Sequence, residues 1–171
     1  MALQAVGTDW VPWFREQLRT SGEAFVWAIT QIDARQHHVL PPKSRSYLGD
    51  WPPVRHIWHV AYYEQCLVLP KMRELAGGPR LPDEPCPDWD NWDDFASRTV
   101  GEHVADFRAA RADLIAQLDD MADADWTTPR ETGWGYYPLS MVHTKTLQHT
   151  FEHANTLLLM ALWWPLEEVD A

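Results

Sequence analysis

The sequence predicts an all-α protein, and within that class a four-helix bundle. Long segments with apolar residues at helical spacing recur along the chain, and proline- or glycine-containing connections separate them. No segment shows the alternating pattern typical of a strand. The 171 residues, 46% of them hydrophobic, suffice for one domain with a substantial core, so we expect a single domain over residues 1–171.

The first helix is predicted from Trp10 to Ile32. Pro12 falls in its opening turn, where a missing backbone N–H costs nothing. The segment Thr20-Ser21-Gly22 weakens its middle. The apolar residues at helical spacing are Trp13, Phe14, Leu18, Phe25, Ile29 and Ile32.

The second helix is predicted to begin after Trp51, with Pro52-Pro53 in its first turn. It ends near Leu75, before Gly77-Gly78. Pro70 lies inside this segment and predicts a kink, because proline removes a helical hydrogen bond.

The third helix is predicted from an aspartate-rich cap over residues 88–94 to about Met121. Arg111 interrupts its apolar stripe, and we expect its stem to pack rather than to bind an anionic ligand. The fourth helix is predicted from Pro138 to Trp163. The stripe of the third helix is Val100, Val104, Phe107, Leu114, Leu118 and Met121, and the apolar face of the fourth is Leu147, Phe151, Ala154, Leu158 and Ala161.

Charge and composition exclude several classes of partner. The formal net charge is −11, which argues against nucleic acid and anionic membranes, since both require a basic face. The longest apolar block, residues 157–164, is far below the roughly 18 residues of a membrane span. Two cysteines, Cys66 and Cys86, provide no disulfide framework, and no secretory signal is visible. We expect a cytoplasmic protein.

A pair of histidines in the fourth helix is the first candidate for a functional site. His149 and His153 are four residues apart, so on a helix they are neighbours with Cβ atoms about 5–6 Å apart. That spacing can bind one metal ion, although Thr150 stands where the HExxH motif of zinc proteases has its glutamate. With eight histidines in the chain, an incidental exposed pair is the alternative interpretation.

A metal site in a helical bundle requires a further ligand from a facing helix. The Glu-x-x-His motif of di-iron bundles is absent from the sequence. His59 lies among apolar residues of the second helix, as either a core residue or a ligand. Bundle axes lie about 8–10 Å apart, a gap that imidazoles from both sides can bridge. The other candidates are His37, His38, His56, His103 and His143.

The segment Trp51-Pro-Pro-Val-Arg-His-Ile-Trp-His-Val-Ala-Tyr-Tyr-Glu64 resembles the second helix of the DinB superfamily. The conserved histidine of that family falls on His59, and its HxxxH motif falls on His149 and His153. The resemblance implies a four-helix bundle with a three-histidine site for a divalent metal ion, nickel or zinc. Some relatives depend on low-molecular-weight thiols, among them mycothiol-dependent maleylpyruvate isomerase and bacillithiol transferases.

Three neutral imidazole ligands leave a metal ion with its charge and an open coordination position, as in catalytic sites. We therefore expect a metal-dependent enzyme acting on a small-molecule substrate, with a low-molecular-weight thiol as a candidate reactant. The alternatives are a metal-containing stress-response module without turnover and a plain bundle that forms a homodimer. Trp134 and Tyr136, in the glycine-flanked loop before the fourth helix, are candidates for substrate binding or for a hydrophobic plug.

Overall fold

The computed structural model describes residues 9–78, 91–132 and 135–164. The elements are α1 Trp10–Thr30, α2 Pro53–Tyr63, α3 Leu69–Leu75, α4 Val100–Gln117, α5 Leu139–Trp163, β1 Arg130–Thr132 and β2 Gly135–Tyr137. The bundle consists of α1, the continuous segment α2–α3, α4 and α5. Helix α1 packs against α5 and α4, and α2 packs against the same two helices. The all-α bundle is thereby confirmed.

The core consists of two large apolar clusters at opposite ends of the bundle and a smaller one outside α2. The first contains Phe25, Ile57, Phe107 and Leu157, and the second contains Phe14, Met72, Leu114 and Leu139. The third packs Val54 and Trp58 against Trp92. Every helix contributes to at least one large cluster, so apolar burial holds the bundle together. Within the described ranges, no helix combines the length and the apolarity needed to span a bilayer.

The third helix begins later than its aspartate-rich sequence indicates. Residues Asn91–Asp94 form a 3₁₀ turn, and α4 starts at Val100. The start is fixed by a capping box, because the Thr99 hydroxyl accepts from the Glu102 N–H while the Glu102 carboxylate accepts from the Thr99 N–H. The predicted helix start at the aspartate-rich cap is therefore wrong for residues 91–94, because the Thr-x-x-Glu capping box begins the helix at Val100. Residues 88–90 of the predicted cap lie outside the described residues.

The second helix accommodates Pro70 with a π-turn. Between α2 and α3, residues Glu64–Val68 have π-helical hydrogen bonding, and the Leu69 N–H donates to the Glu64 carbonyl five residues earlier. Pro70 then occupies the first turn of α3. Because proline lacks an N–H, the wider turn absorbs the interruption where Pro70 indicated a kink.

A short antiparallel hairpin was not expected from the sequence. Strand β1 pairs with β2, with Glu131 opposite Tyr136 and Arg130 opposite Tyr137. Each strand has three residues, too short for an alternating pattern to show. Gly135, the first residue of β2, has φ +118°, a conformation open to glycine.

The buried face of α5 differs from the predicted apolar face. Phe151 is 49% exposed, whereas Thr146 and Thr150 are buried. Trp13 of α1, also predicted to be apolar core, is 43% exposed. The buried threonines donate hydrogen bonds to carbonyls one turn earlier in α5, which satisfies their hydroxyls inside the bundle.

Arg111 was expected to pack through its stem rather than to bind an anionic ligand. In the structure its charged group instead pairs with a carboxylate of the protein itself. Its guanidinium is buried and pairs with the Glu64 carboxylate, with Nε donating to Glu64 Oε2 at 2.9 Å. The same group donates to the Ser21 and Thr150 hydroxyls at 2.9 and 2.8 Å. It thereby joins the π-turn to α1, α4 and α5. The polar and small residues Ser21-Gly22 in the middle of α1 are the place where this guanidinium fits.

Candidate metal centre

The structure brings His59, His149 and His153 together between α2 and α5. The distance from His59 Nε2 to His149 Nε2 is 3.1 Å, and that from His153 Nε2 to His149 Nε2 is 3.2 Å. One ring nitrogen from each histidine lies within 4.8 Å of the others, and all three side chains are half-buried. Helical geometry explains the pair on α5, and the packing of α2 against α5 supplies the third imidazole.

The three imidazoles are held in the neutral form. Burial, followed by the neighbouring His153, lowers the pKa of His59 to about 3. Burial and the same neighbour lower the pKa of His149 to about 3, and burial lowers that of His153 to about 4. At neutral pH the rings therefore offer lone pairs rather than positive charge, which is the state that metal coordination requires.

The arrangement of nitrogens fits a cation. Nε2 of His149 contacts Nε2 of both other histidines, but a neutral imidazole nitrogen has either one N–H or one lone pair, so it can form a hydrogen bond with only one of them. Lone pairs that converge on one point repel unless a positive charge lies between them. Nitrogen donors of this kind suit zinc, nickel, copper and iron, and the donor set does not distinguish among these metals.

A fourth histidine, His56, supports the cluster from one helical turn before His59. Its Nδ1 lies 2.8 Å from Nδ1 of His153, whose Nε2 faces the other two ligand candidates. With Nε2 of His153 unprotonated, its proton is on Nδ1 and is donated to His56. Such a contact fixes both the tautomer and the ring orientation of a metal-binding histidine. The sequence named His56 only as an alternative ligand, although its spacing of three residues from His59 places it on the same face.

Aromatic rings enclose the histidines on two sides. Trp51 stacks on His153 with ring centroids 6.0 Å apart and an interplanar angle of 9°, and its centroid lies 4.9 Å from that of His59. The Arg55 guanidinium lies over the Trp51 ring, 4.6 Å from its centroid. Tyr63 packs on His149 at a centroid distance of 4.2 Å. These contacts fix the rings and reduce the access of water to them.

Three of the remaining histidines make contacts of a structural kind. His37 Nε2 lies 3.0 Å from the Ile32 carbonyl, His103 Nε2 3.2 Å from the Phe95 carbonyl, and His143 Nδ1 3.2 Å from the Leu139 carbonyl. Each of these N–H groups donates to the backbone and fastens a loop or a helical turn. His38 is exposed. The metal-ligand hypothesis therefore concentrates on the cluster between α2 and α5.

A cavity of about 400 Å³ adjoins the cluster on the side of Tyr63. Its wall includes Tyr63 and Leu67 from the second helix, Tyr137 from the hairpin, and Lys145 and Gln148 from α5. Tyr63 is shared between the cavity and the cluster, because its ring also contacts His149. A small molecule bound here would therefore contact the same tyrosine ring that packs on His149.

The two residues predicted to bind substrate stand differently toward this cavity. Tyr136 is 66% exposed on β2 and is not part of the cavity lining, whereas its neighbour Tyr137 is. Trp134 lies outside the described residues. The roles of Trp134 and Tyr136 in substrate binding stay predictions. The sequence does not indicate Tyr137, because a three-residue strand is too short to show which of two adjacent tyrosines faces the cavity.

Comparison with known proteins agrees with the architecture. The family model described as the DinB superfamily matches residues 17–157, which include the whole histidine cluster. Searches of curated proteins and of solved structures found no significant match. Since the family model covers most of the chain, the protein belongs to the DinB superfamily.

Proposed function

We propose that the protein is a metal-dependent enzyme that acts on a small molecule, with His59, His149 and His153 as the ligands of one divalent ion. The observation that supports this most directly is the convergence of three imidazole nitrogens, with a cavity nearby whose Tyr63 also packs on His149. Among the described residues, no carboxylate or thiol joins this group. A closed structural site would have four protein ligands, whereas three ligands are typical of catalysis.

The chemistry available at such a centre follows from its charge. A divalent ion held by neutral ligands polarises a carbonyl and lowers the pKa of a thiol or water bound to it. The protein's own part is to bind and orient: His56 holds His153, Trp51 and Tyr63 fix the other rings, and the cavity receives the substrate. Nickel or zinc is the proposed metal.

A low-molecular-weight thiol is the proposed reactant, because thiolates are strong ligands for these metals. The thiol-dependent relatives in the superfamily support this choice. The chain differs from the commonest family pattern at Tyr62 and at Ala154-Asn155-Thr156, so the proposal extends to thiol chemistry and not to a particular transferase.

Metal content tests the ligand set. Untagged protein, purified without nickel resin, is expected to contain one divalent ion per chain by element analysis. His59→Ala, His149→Ala and His153→Ala are each expected to lose most of it, whereas His38→Ala, at an exposed histidine, serves as the matched control. Full stoichiometry in all three ligand variants would refute the site.

Cobalt substitution tests the open position and the thiol. Titration of the cobalt protein with 2-mercaptoethanol should produce a sulfur-to-metal charge-transfer band. Turnover of a panel of electrophiles with the same thiol then tests catalysis. A spectrum that does not respond contradicts thiol chemistry, and a responsive spectrum without turnover favours the metal-binding module over the enzyme.

A further inference from the structure

The cavity beside the histidines is apolar over most of its lining. Leu67 of the π-turn, Met141 and Val142 of α5, and the rings of Tyr63 and Tyr137 provide its surface. Its volume of about 400 Å³ is in the range of sites for small organic molecules. An apolar lining of this size is matched by the hydrocarbon or aromatic body of a ligand, because the contact removes apolar surface from water.

One cation, Lys145, lies in the described lining of this cavity. It is half-buried, and no hydrogen bond or ion pair joins it to residues of the described ranges. Most cationic side chains elsewhere have such partners, including Lys71 with Glu74, Arg98 with Asp106 and Arg111 with Glu64. An ammonium group in an apolar cavity without a protein partner is able to receive an anionic group from a ligand.

Lys145 also lies close to the histidine cluster. It precedes His149 by one turn of α5. After burial and the neighbouring imidazoles, its charge is a further cause of the lowered pKa of His149. The nearest acid on this helix face, Glu152, is exposed, accepts from Gln148 at 2.7 Å and is outside the described lining. The cavity therefore has one positive charge and no carboxylate in that lining.

We propose that this cavity binds a small monoanion with an apolar body, of the class of aryl or alkyl carboxylates, and that Lys145 binds its anionic group. The single cation matches a single negative charge, and the apolar wall matches the body. The inference deepens the proposed function, on which it rests for the statement that the bound molecule is a substrate.

A pair of probes of equal shape separates charge recognition from apolar binding. Binding of 4-phenylbutyrate and of the uncharged 4-phenylbutyramide is measured by calorimetry on the full chain after removal of metal by chelation. We expect the acid to bind at least about tenfold more tightly than the amide, a difference of about 1.4 kcal/mol. Methyl-labelled methionine reports the place of binding, because Met141 lines the cavity.

Three variants separate the contribution of the Lys145 charge to ligand binding from that of the apolar wall. Lys145→Met keeps an apolar stem and is expected to abolish most of the preference for the acid. Lys43→Met, at an exposed lysine outside the described lining, is expected to keep it. Met141→Gln is expected to weaken both probes in the same proportion. Retained melting temperatures establish that each variant is folded.

Several results would overturn the inference. These are equal affinities for the two probes, no binding of either, a preference that survives Lys145→Met, and a Met141 methyl signal that does not move. A preference that needs the metal would assign the anion to the ion instead of Lys145, which refutes the inference and leaves the proposed function intact. Conversely, if the protein as purified contains no divalent ion by element analysis and the Lys145-dependent preference is nevertheless observed, the proposed function is refuted and the binding site stands.

Discussion

The imidazole of His56 determines which nitrogen of His153 is available to a cation. When Nδ1 of His153 donates its proton across the 2.8 Å contact to Nδ1 of His56, Nε2 of His153 keeps its lone pair. Neither a family pattern nor the i,i+4 rule identifies this residue, because its role depends on a contact between helices. The three histidines proposed as ligands could be predicted from spacing and from the family resemblance, whereas the contact of His56 with His153 could not.

Replacing His56 should therefore weaken metal binding without removing a ligand. For His56→Leu we expect a loss of metal affinity of about 10- to 100-fold, the usual effect of deleting such a support. His56→Asn should retain more affinity, because its amide oxygen can accept from His153. Competition with a chelating dye measures both. Unchanged affinity in His56→Leu would contradict the role assigned to this contact.

The buried His143 makes stability depend on pH independently of the metal site. Its ring packs against Phe14 and Trp126, and burial lowers its pKa to about 4 from an ordinary value of 6.5. The unfolded chain thus binds a proton at a higher pH than the folded one. The stability linked to neutral His143 is complete above pH 6.5 and is lost progressively as the pH falls toward 4.

For this reason His143→Leu should flatten the pH dependence of unfolding in metal-free protein. Between pH 7 and pH 5, the variant is expected to lose about 2 kcal/mol less free energy of unfolding than the wild type. Urea titrations at the two pH values measure the difference. Equal losses in the two proteins would show that His143 does not stay neutral in the fold.

At the scale of elements, the Glu64–Arg111 pair connects the π-turn to the three other helices. Breaking a buried pair on one side leaves an uncompensated charge. Arg111→Met should therefore lower the free energy of unfolding by about 3–5 kcal/mol. The double variant Glu64→Leu/Arg111→Met should recover most of that loss, because no buried charge remains.

Arg108→Met is the matched control for this experiment. It lies on the same helix with an exposed side chain, and its expected effect is within about 0.5 kcal/mol. Chemical denaturation measures all three variants. If Arg111→Met cost no more than Arg108→Met, the network would contribute nothing to the bundle.

The helices could be predicted from apolar spacing, but several of their details depend on longer-range contacts. The sequence Ser21-Gly22 indicates a weak point in the middle of α1, but in the structure Arg111 from α4 packs against these two residues. The π-turn at Glu64–Val68 has no signature beyond Pro70, and the hairpin strands are too short for a period of two to show. The apolar face of α5 was misjudged at Phe151 because buried threonines replace apolar residues there.

For the whole molecule, the apolar clusters and the proposed metal centre would stabilise the folded state independently of each other. None of the proposed ligands belongs to a described core cluster. A ligand that binds only the folded state adds about 2.7 kcal/mol at a hundredfold excess over its dissociation constant. Chelation should thus lower the melting temperature by about 5–10 °C and leave the helical circular dichroism unchanged. Complete unfolding on chelation would show that the metal is structural.

The π-turn makes the relative orientation of the histidine site and the apolar core depend on the number of residues between them. One such turn contains one residue more than an α-helical turn and is equivalent to a single-residue insertion. Each helical residue turns the following side chains by about 100°. A lineage that lost Gln65, which is exposed, would keep a continuous helix but rotate Met72 relative to His59. Insertions and deletions are therefore expected to be excluded from this segment, even where substitutions are tolerated.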